Sequence, residues 1–266
     1  MPLEPATALV LRTVDWSESS LVVTLFSREF GKIRGVARGG RRPKGPFESS
    51  LDVLSRCRII FLRKSSDALD VLSEAKLIER FRPFERGLPA LQAGYHIAEL
   101  LDAWTDCYDP HPQLYDLTIA TLAELRPQTP LGALLLQFEL AALRLLGYFP
   151  ALKECVHCGA VVQPQSRVSF SCLEGGVLCV SCRPGKRNVI SLSNAAWQIM
   201  SQLPLLWDDD QTTTEKEASD ARQRKLDVDG LRRLPTDGLG ELRPVVSQYV
   251  NHLLGFMPRT QASLGK

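Results

Sequence analysis

Hydrophobic positions between residues 5 and 80 come in short runs with a period near two, broken by glycine, proline and polar turns. Ala8–Arg12 and Leu21–Phe26 are β-rich runs on either side of a polar turn at Asp15–Ser19, and Gly31–Arg38, Leu51–Leu62 and Leu69–Ile78 follow. Five short strands in so little chain predict a small barrel. We read it as an OB-type barrel; an SH3-like barrel carries almost the same pattern.

The period changes at Pro83. Leu88, Leu91, Tyr95, Ala98 and Leu101 are spaced by three and four, as on one face of a helix. A second helix is predicted over Gln113–Leu125 and stops at Pro127. Pro130 opens a third, with Leu131, Leu134, Leu135, Phe138, Ala142 and Leu145 along one face. Leu136, Leu140 and Leu143 make its opposite side apolar too, which predicts a central helix ended by Gly147 and Pro150. Further helices are expected at Asn194–Leu203 and Gly238–Leu254, and the polar run that begins at Asp208 predicts a disordered loop over 208–225. The expected class is α+β: a barrel domain over 1–80, then an α-helical domain over 81–266 that contains a cysteine module at 151–187.

Composition allows a buried core without help from disulfides, since 44% of the 266 residues are apolar, and the 23% that are charged are ordinary for a soluble globular protein. The most apolar stretch, Leu131–Leu146, is shorter than the roughly 20 residues a bilayer requires and contains Gln137, Glu139 and Arg144, so no membrane association is expected. The N-terminus has no basic region ahead of an apolar run, and a cytoplasmic location is expected. The net charge of +2 is uninformative, but residues 1–64 hold 12 Lys/Arg against 6 Asp/Glu. Such asymmetry points to a nucleic-acid or membrane surface at the basic end, with a solvated loop as the plain alternative.

Five of the seven cysteines lie between Cys155 and Cys182. Cys155-x2-Cys158 and Cys179-x2-Cys182, 20 residues apart, have the spacing of two knuckles that close one four-thiolate zinc site. Gly159, Gly175 and Gly176 suit the turns that bring the knuckles together. His157 and Cys172 are rival ligands that the site does not need once both pairs engage. Four thiolates leave no open position for water, so the expected role of one Zn2+ is structural.

Lys32, Arg34 and Arg38 share a strand phase, interrupted by Val36, and Arg41, Arg42 and Lys44 continue the charge onto a turn-rich loop. From Arg28 to Lys44 there are seven basic residues and one acidic. Such a surface suits a phosphate backbone and little sequence preference. Trp16 and Phe47 are the aromatics placed to meet bases, whereas Phe26 and Phe61 are expected in the core. A rival basic surface on the cysteine module comprises Lys153, Arg167, Arg183, Lys186 and Arg187. His-Glu-x-x-His, Gly-x-Ser-x-Gly and Gly-x-Gly-x-x-Gly motifs are absent, which favours a protein that is not an enzyme.

Three stretches resemble the bacterial RecO family of recombination mediators: Glu18–Gly31 running on to Arg42, Phe138–Pro150 leading into Cys155–Gly159, and Phe170–Cys182. The resemblance implies an OB-fold that binds single- and double-stranded DNA. It also implies partnership with RecR and with the acidic tail of single-stranded DNA-binding protein, in the cytoplasm and at the nucleoid. The family helps load RecA on coated single strands and anneals complementary strands without nucleotide hydrolysis. By position, the implied DNA contacts are Lys32, Arg34, Arg38, Arg41, Arg42 and Lys44. The polar stretch around 208–225 departs from the family pattern. The readings that compete with this one are a zinc-ribbon scaffold or regulator without DNA affinity, and a nuclease built on scattered carboxylates.

Overall fold

The computed structural model describes residues 3–42, 45–47, 50–64, 68–81, 87–163, 166–207 and 226–264. The loop expected at 208–225 lies outside these. Two compact units are present, one comprising residues 1–127 with 258–266 and the other residues 128–257. The change from strands to helices falls after residue 80, whereas the units divide after Pro127.

The first unit opens with five strands: β1 (Leu3–Asp15), β2 (Leu21–Ser27), β3 (Gly31–Ala37), β4 (Ser55–Leu62) and β5 (Asp70–Arg80). β1 is long enough to pair antiparallel with β2 through its second half and with β4 through its first. The order β1-β2-β3-β5-β4 therefore closes into a barrel, with β3 and β5 as its parallel pair. Alternation points Ala8, Val10, Leu25, Ile33, Ile59 and Phe61 into one core. Each of the larger side chains in that set, from Val10 to Phe61, contributes about 1.5–3 kcal/mol when fully buried.

Two helices cover part of the barrel's outer face, α1 (Leu88–Trp104) on β1 and β2, and α2 (Pro112–Ala123) on β2. This is why Leu9 and Phe26, which point outward, are also fully buried, Phe26 with its ring 6.0 Å from that of Tyr115 on α2. Residues from beyond the second unit return to α1. Glu99 accepts hydrogen bonds from the backbone N–H groups of Arg259 and Thr260, both at 2.9 Å, and from the Thr260 hydroxyl at 2.5 Å. Burial works against ionisation of Glu99, but the Thr260 and Arg259 bonds outweigh it and hold the carboxyl below its ordinary range.

The second unit is centred on α3 (Leu131–Leu145), buried on all sides from Ala133 to Leu143 as its two apolar faces predict. Glu139 within that run is satisfied by Arg243, whose Nη2 donates to both carboxylate oxygens at 2.8 Å. A three-stranded sheet that the periodicity had not marked follows, β6 (Arg167–Ser171), β7 (Gly176–Leu178) and β8 (Val189–Ser193), in the order β7-β6-β8. The helices α4 (Asn194–Gln202), α5 (Val228–Arg232) and α6 (Thr236–Leu254) complete the unit, and α7 (Gln261–Leu264) belongs to the first. Ser193 caps α4, its hydroxyl accepting from the Ala196 N–H, and left-handed Gly255 ends α6.

Gly31 starts β3 at φ +70°, and a Cβ there would lie 2.0 Å from the Asp109 carbonyl oxygen. Both the backbone conformation and the space exclude a side chain. Gly31→Ala should therefore lower the free energy of unfolding by at least about 2 kcal/mol in urea titration, more than an exposed turn glycine would.

Candidate nucleic-acid interface and metal centre

The strand phase of the basic segment holds: Ile33 and Ala37 are in the barrel core, and Lys32, Arg34 and Val36 point outward. What lies over that outer face changes along the strand. Lys32 is only 5% exposed, and its ammonium donates to the Asp102 carbonyl at 2.6 Å and lies 3.5 Å from the Asp102 carboxylate. The segment after α1 covers it, with the Tyr108 N–H bonded to the Lys32 carbonyl. Lys32 is thus withdrawn from the surface, against the expectation that it contacts a ligand directly. Arg34 is exposed at the border and shares Asp102 at 3.5 Å. Arg38, Arg41 and Arg42 are fully on the open surface. Lys44 lies outside the described residues.

Beyond that border, the β1–β2 turn, the end of β3, Lys64 after β4 and Leu69 with Val71 flank an open groove of about 590 Å3, lined by Trp16, Val36, Arg38, Arg42, Lys64 and Val71 among others. The parallel register of Gly35 with Asp70 and Val36 with Val71 brings the segment around Lys64 beside the basic strand. Buried Asp70 anchors this wall, accepting the Lys64 N–H at 2.8 Å and the Tyr108 hydroxyl. Burial first, and then Asp70, push the Tyr108 phenol above its ordinary value, so it stays a donor, and Arg63 lies 3.7 Å from its ring centroid. Among the described residues Arg38, Arg42 and Lys64 form no ion pair, while Arg41 is 3.3 Å from Asp15.

Of the two aromatics expected near bases, Trp16 is 66% exposed in the groove, but Phe47 is 3% exposed and belongs to the barrel core. Phe47 is buried because its turn folds back over the barrel, where Ala75 N–H bonds to the adjacent Pro46 carbonyl. Lys64 was missed by the sequence reading. Its only signal was a basic pair, Arg63-Lys64, directly after a strand end, 20 residues beyond the basic run.

In the second unit the sulfur atoms of Cys155, Cys158, Cys179 and Cys182 all lie within 4.8 Å of one another. Four sulfurs each ~2.3 Å from one ion stand about 3.8 Å apart, and Cys158 and Cys179 are separated by 3.8 Å. The backbone builds this cluster before any metal is considered. Gly159 N–H bonds to the Cys155 carbonyl and Arg183 N–H to that of Cys179, one turn per knuckle. Val156 N–H to Val177 O and Val177 N–H to Ala151 O then hold the first knuckle against β7. Gly176 allows that approach, since a Cβ there would lie 2.4 Å from the Ala151 carbonyl oxygen.

Burial opposes ionisation of Cys155, but backbone hydrogen bonds from Cys179, His157 and Cys158 outweigh it and bring the thiol down to about 6. Hydrogen bonds with Cys179 and Cys158 push the Cys182 thiol up to about 12, so the cluster shares its protons. Cys172 is outside the cluster, and burial pushes its thiol up to about 11. His157 is exposed and faces Lys186, whose ammonium also pairs with Glu174 at 2.6 Å. The rival basic surface is further spent by Arg167, which is 3.0 Å from Glu241.

Residues 1–81 match the family described as Recombination protein O N terminal, and residues 86–208 match Recombination protein O C terminal. The chain is 44% identical over 197 residues to a protein of Rhodopirellula baltica named DNA repair protein RecO, covering 74% of this chain and 72% of that one. Proteins of the same name from Anaeromyxobacter dehalogenans and Bacillus pumilus are 35% identical over 187 residues and 32% over 194. These matches cover 70% and 72% of this chain, and 73% of each relative. No helix among the described residues is long and apolar enough to cross a membrane.

If the four thiols hold one ion, elemental analysis of purified protein should find about one metal per chain. Cys155→Ser/Cys179→Ser should lose it and melt at lower temperature, because metal binding and folding are coupled in small sites. Retention of a full equivalent by that variant would refute the assignment.

Proposed function

The chain belongs to the Recombination protein O family, and on that premise we propose that it is a DNA-binding recombination mediator that catalyses no covalent reaction. In this reading it acts in DNA repair, helping to load RecA on single strands coated by single-stranded DNA-binding protein and annealing complementary strands. RecR and the acidic tail of single-stranded DNA-binding protein are its protein partners, a reading that rests on the family alone. The observation that carries DNA contact is the groove on the barrel, where three cations that form no ion pair among the described residues line the same groove as an exposed tryptophan.

The strand order, closed by a parallel β3–β5 pair, supports an OB-type reading of the barrel. Arg34, Arg38, Arg41, Arg42, Lys44 and Lys64 are the proposed phosphate contacts. Arg41 can serve although it faces Asp15, because an exposed ion pair contributes only about 0.2–1 kcal/mol. Lys32 has a structural part in this reading, its ammonium holding Asp102 at the end of α1 on the outer face of β3. Phosphate contact binds single and double strands alike and reads little sequence.

We assign the cysteine cluster to one Zn2+, for which four thiolates in a tetrahedron are a preferred set. Such an ion supplies folding energy and no open coordination position. A structural part for it agrees with the backbone bonds that already hold the first knuckle against β7, the strand leading into the second.

With about five phosphate contacts on a single strand, log K should fall with log salt at a slope of roughly −3.5. Arg38→Ala/Arg42→Ala should make that slope shallower by about 1.4 and weaken all sequences alike. Lys32→Met should instead lower the melting temperature and leave the slope unchanged. Binding by the Arg38/Arg42 variant that matches the parent at every salt concentration would place DNA elsewhere.

A further inference from the structure

We propose that the barrel groove seats one unpaired base on the indole of Trp16, so that the unit distinguishes a single strand from a duplex. The inference rests on the reading of this face as a DNA surface and adds what recognises the strand there. A phosphate surface alone has no such preference, because phosphates are present in both forms.

The first ground is Trp16 itself. It is 66% exposed, and its turn is held by the backbone: Trp16 and Ser17 N–H groups bond to the Ser20 carbonyl at 3.0 and 3.3 Å. The indole has no part in those bonds and is left facing solvent. The second ground is what surrounds it. Val36, Leu69 and Val71 supply apolar surface, and Arg38, Arg42 and Lys64 supply positive charge. An apolar, aromatic surface beside cations matches a nucleotide, which presents a flat ring and a negative phosphate.

Size and rigidity agree. The groove's volume of about 590 Å3 is within the roughly 300–1,000 Å3 of sites that hold one small ligand. Its walls are tied in place before anything binds. Arg41 bonds through its N–H to the Ser19 carbonyl at 3.1 Å and through its guanidinium to the Ser17 carbonyl at 3.3 Å, which fixes the Trp16 turn to the basic loop. Asp70 fixes Lys64 on the opposite wall. A preorganised site loses less freedom when it is occupied.

A duplex cannot use the indole without cost. Its bases are stacked and paired, and extruding one costs a few kcal/mol. A single strand offers its bases freely. The groove then adds stacking to the phosphate contacts for single strands only.

The test measures binding of the full-length protein to three DNAs of equal length: a single strand, the same strand with abasic sites throughout, and a duplex. The parent is compared with Trp16→Ala and Trp16→Phe. Trp16→Ala should weaken single-strand binding about tenfold or more, and leave duplex and abasic binding as in the parent. Trp16→Phe should recover most of the loss, since its ring also stacks. Equal single-strand affinity in Trp16→Ala and the parent would overturn the proposal while leaving the phosphate surface intact. A loss shared by all three DNAs would also overturn it, and would make Trp16 a structural or general contact. Absence of salt-sensitive binding by the parent to any of the three would refute the DNA reading itself.

Discussion

β1 pairs along one half with β2 and along the other with β4, and the first unit depends on that double duty. A strand of 13 residues, with a shift of register between Val10 and Arg12, reaches both neighbours. Once the sheet closes, alternation alone divides inside from outside, and the core of Val10, Ile33 and Phe61 follows. Closure also brings the turn at 16–20, the end of β3 with Arg38 and Arg42, and the residues Lys64, Leu69 and Val71 around one groove, although they come from separate parts of the chain. The same closed wall presents a curved outer face to α1 and α2, and whatever those helices cover is lost as binding surface.

The basic strand shows the limit of reading such a face from period alone. Phase correctly sent Ile33 and Ala37 inward and Lys32, Arg34 and Val36 outward. Phase carries no information about what packs on the outside, and so Lys32 and Arg38 looked equivalent. In the structure Asp102, near the end of α1, gives Lys32 a carbonyl and a carboxylate, and Arg38 is left open. Phe47 was misread for the same kind of reason, because a turn residue can fold back over a barrel end. Lys64 was invisible because its proximity to the groove comes from the parallel β3–β5 register, a pairing between segments some 35 residues apart. The helices were legible because their apolar residues recur on a local period. The short strands β6 to β8 have no such length.

The cysteine cluster was legible for a different reason. Metal spacing is a covalent constraint: two residues between cysteines place both sulfurs on one turn, whatever surrounds them. The remaining question was which pairs meet, and the main chain answers it. Hydrogen bonds between 151–156 and 175–177 bring the first knuckle against β7, which runs directly into Cys179. Cys172 lies only seven positions before Cys179 yet is excluded from the cluster. It follows β6 and is buried beside the strand rather than on a knuckle. The structural account of the ion therefore rests on a scaffold largely set by backbone pairing.

The bonds from Glu99 to Arg259 and Thr260 have a consequence for how the chain is made. The first unit is discontinuous, with some 130 residues of the second inserted between its two pieces. On the ribosome, domains generally form in the order they emerge, but this unit cannot make its last contacts until residue 260 has left the exit tunnel. At the usual 5–20 residues per second, the barrel and α1 wait on the order of ten seconds with Glu99 unclosed. During that interval α1 exposes the surface that the returning segment later occupies, and the second unit has time to fold on its own. Vectorial synthesis thus places completion of the first unit after synthesis of the whole second unit.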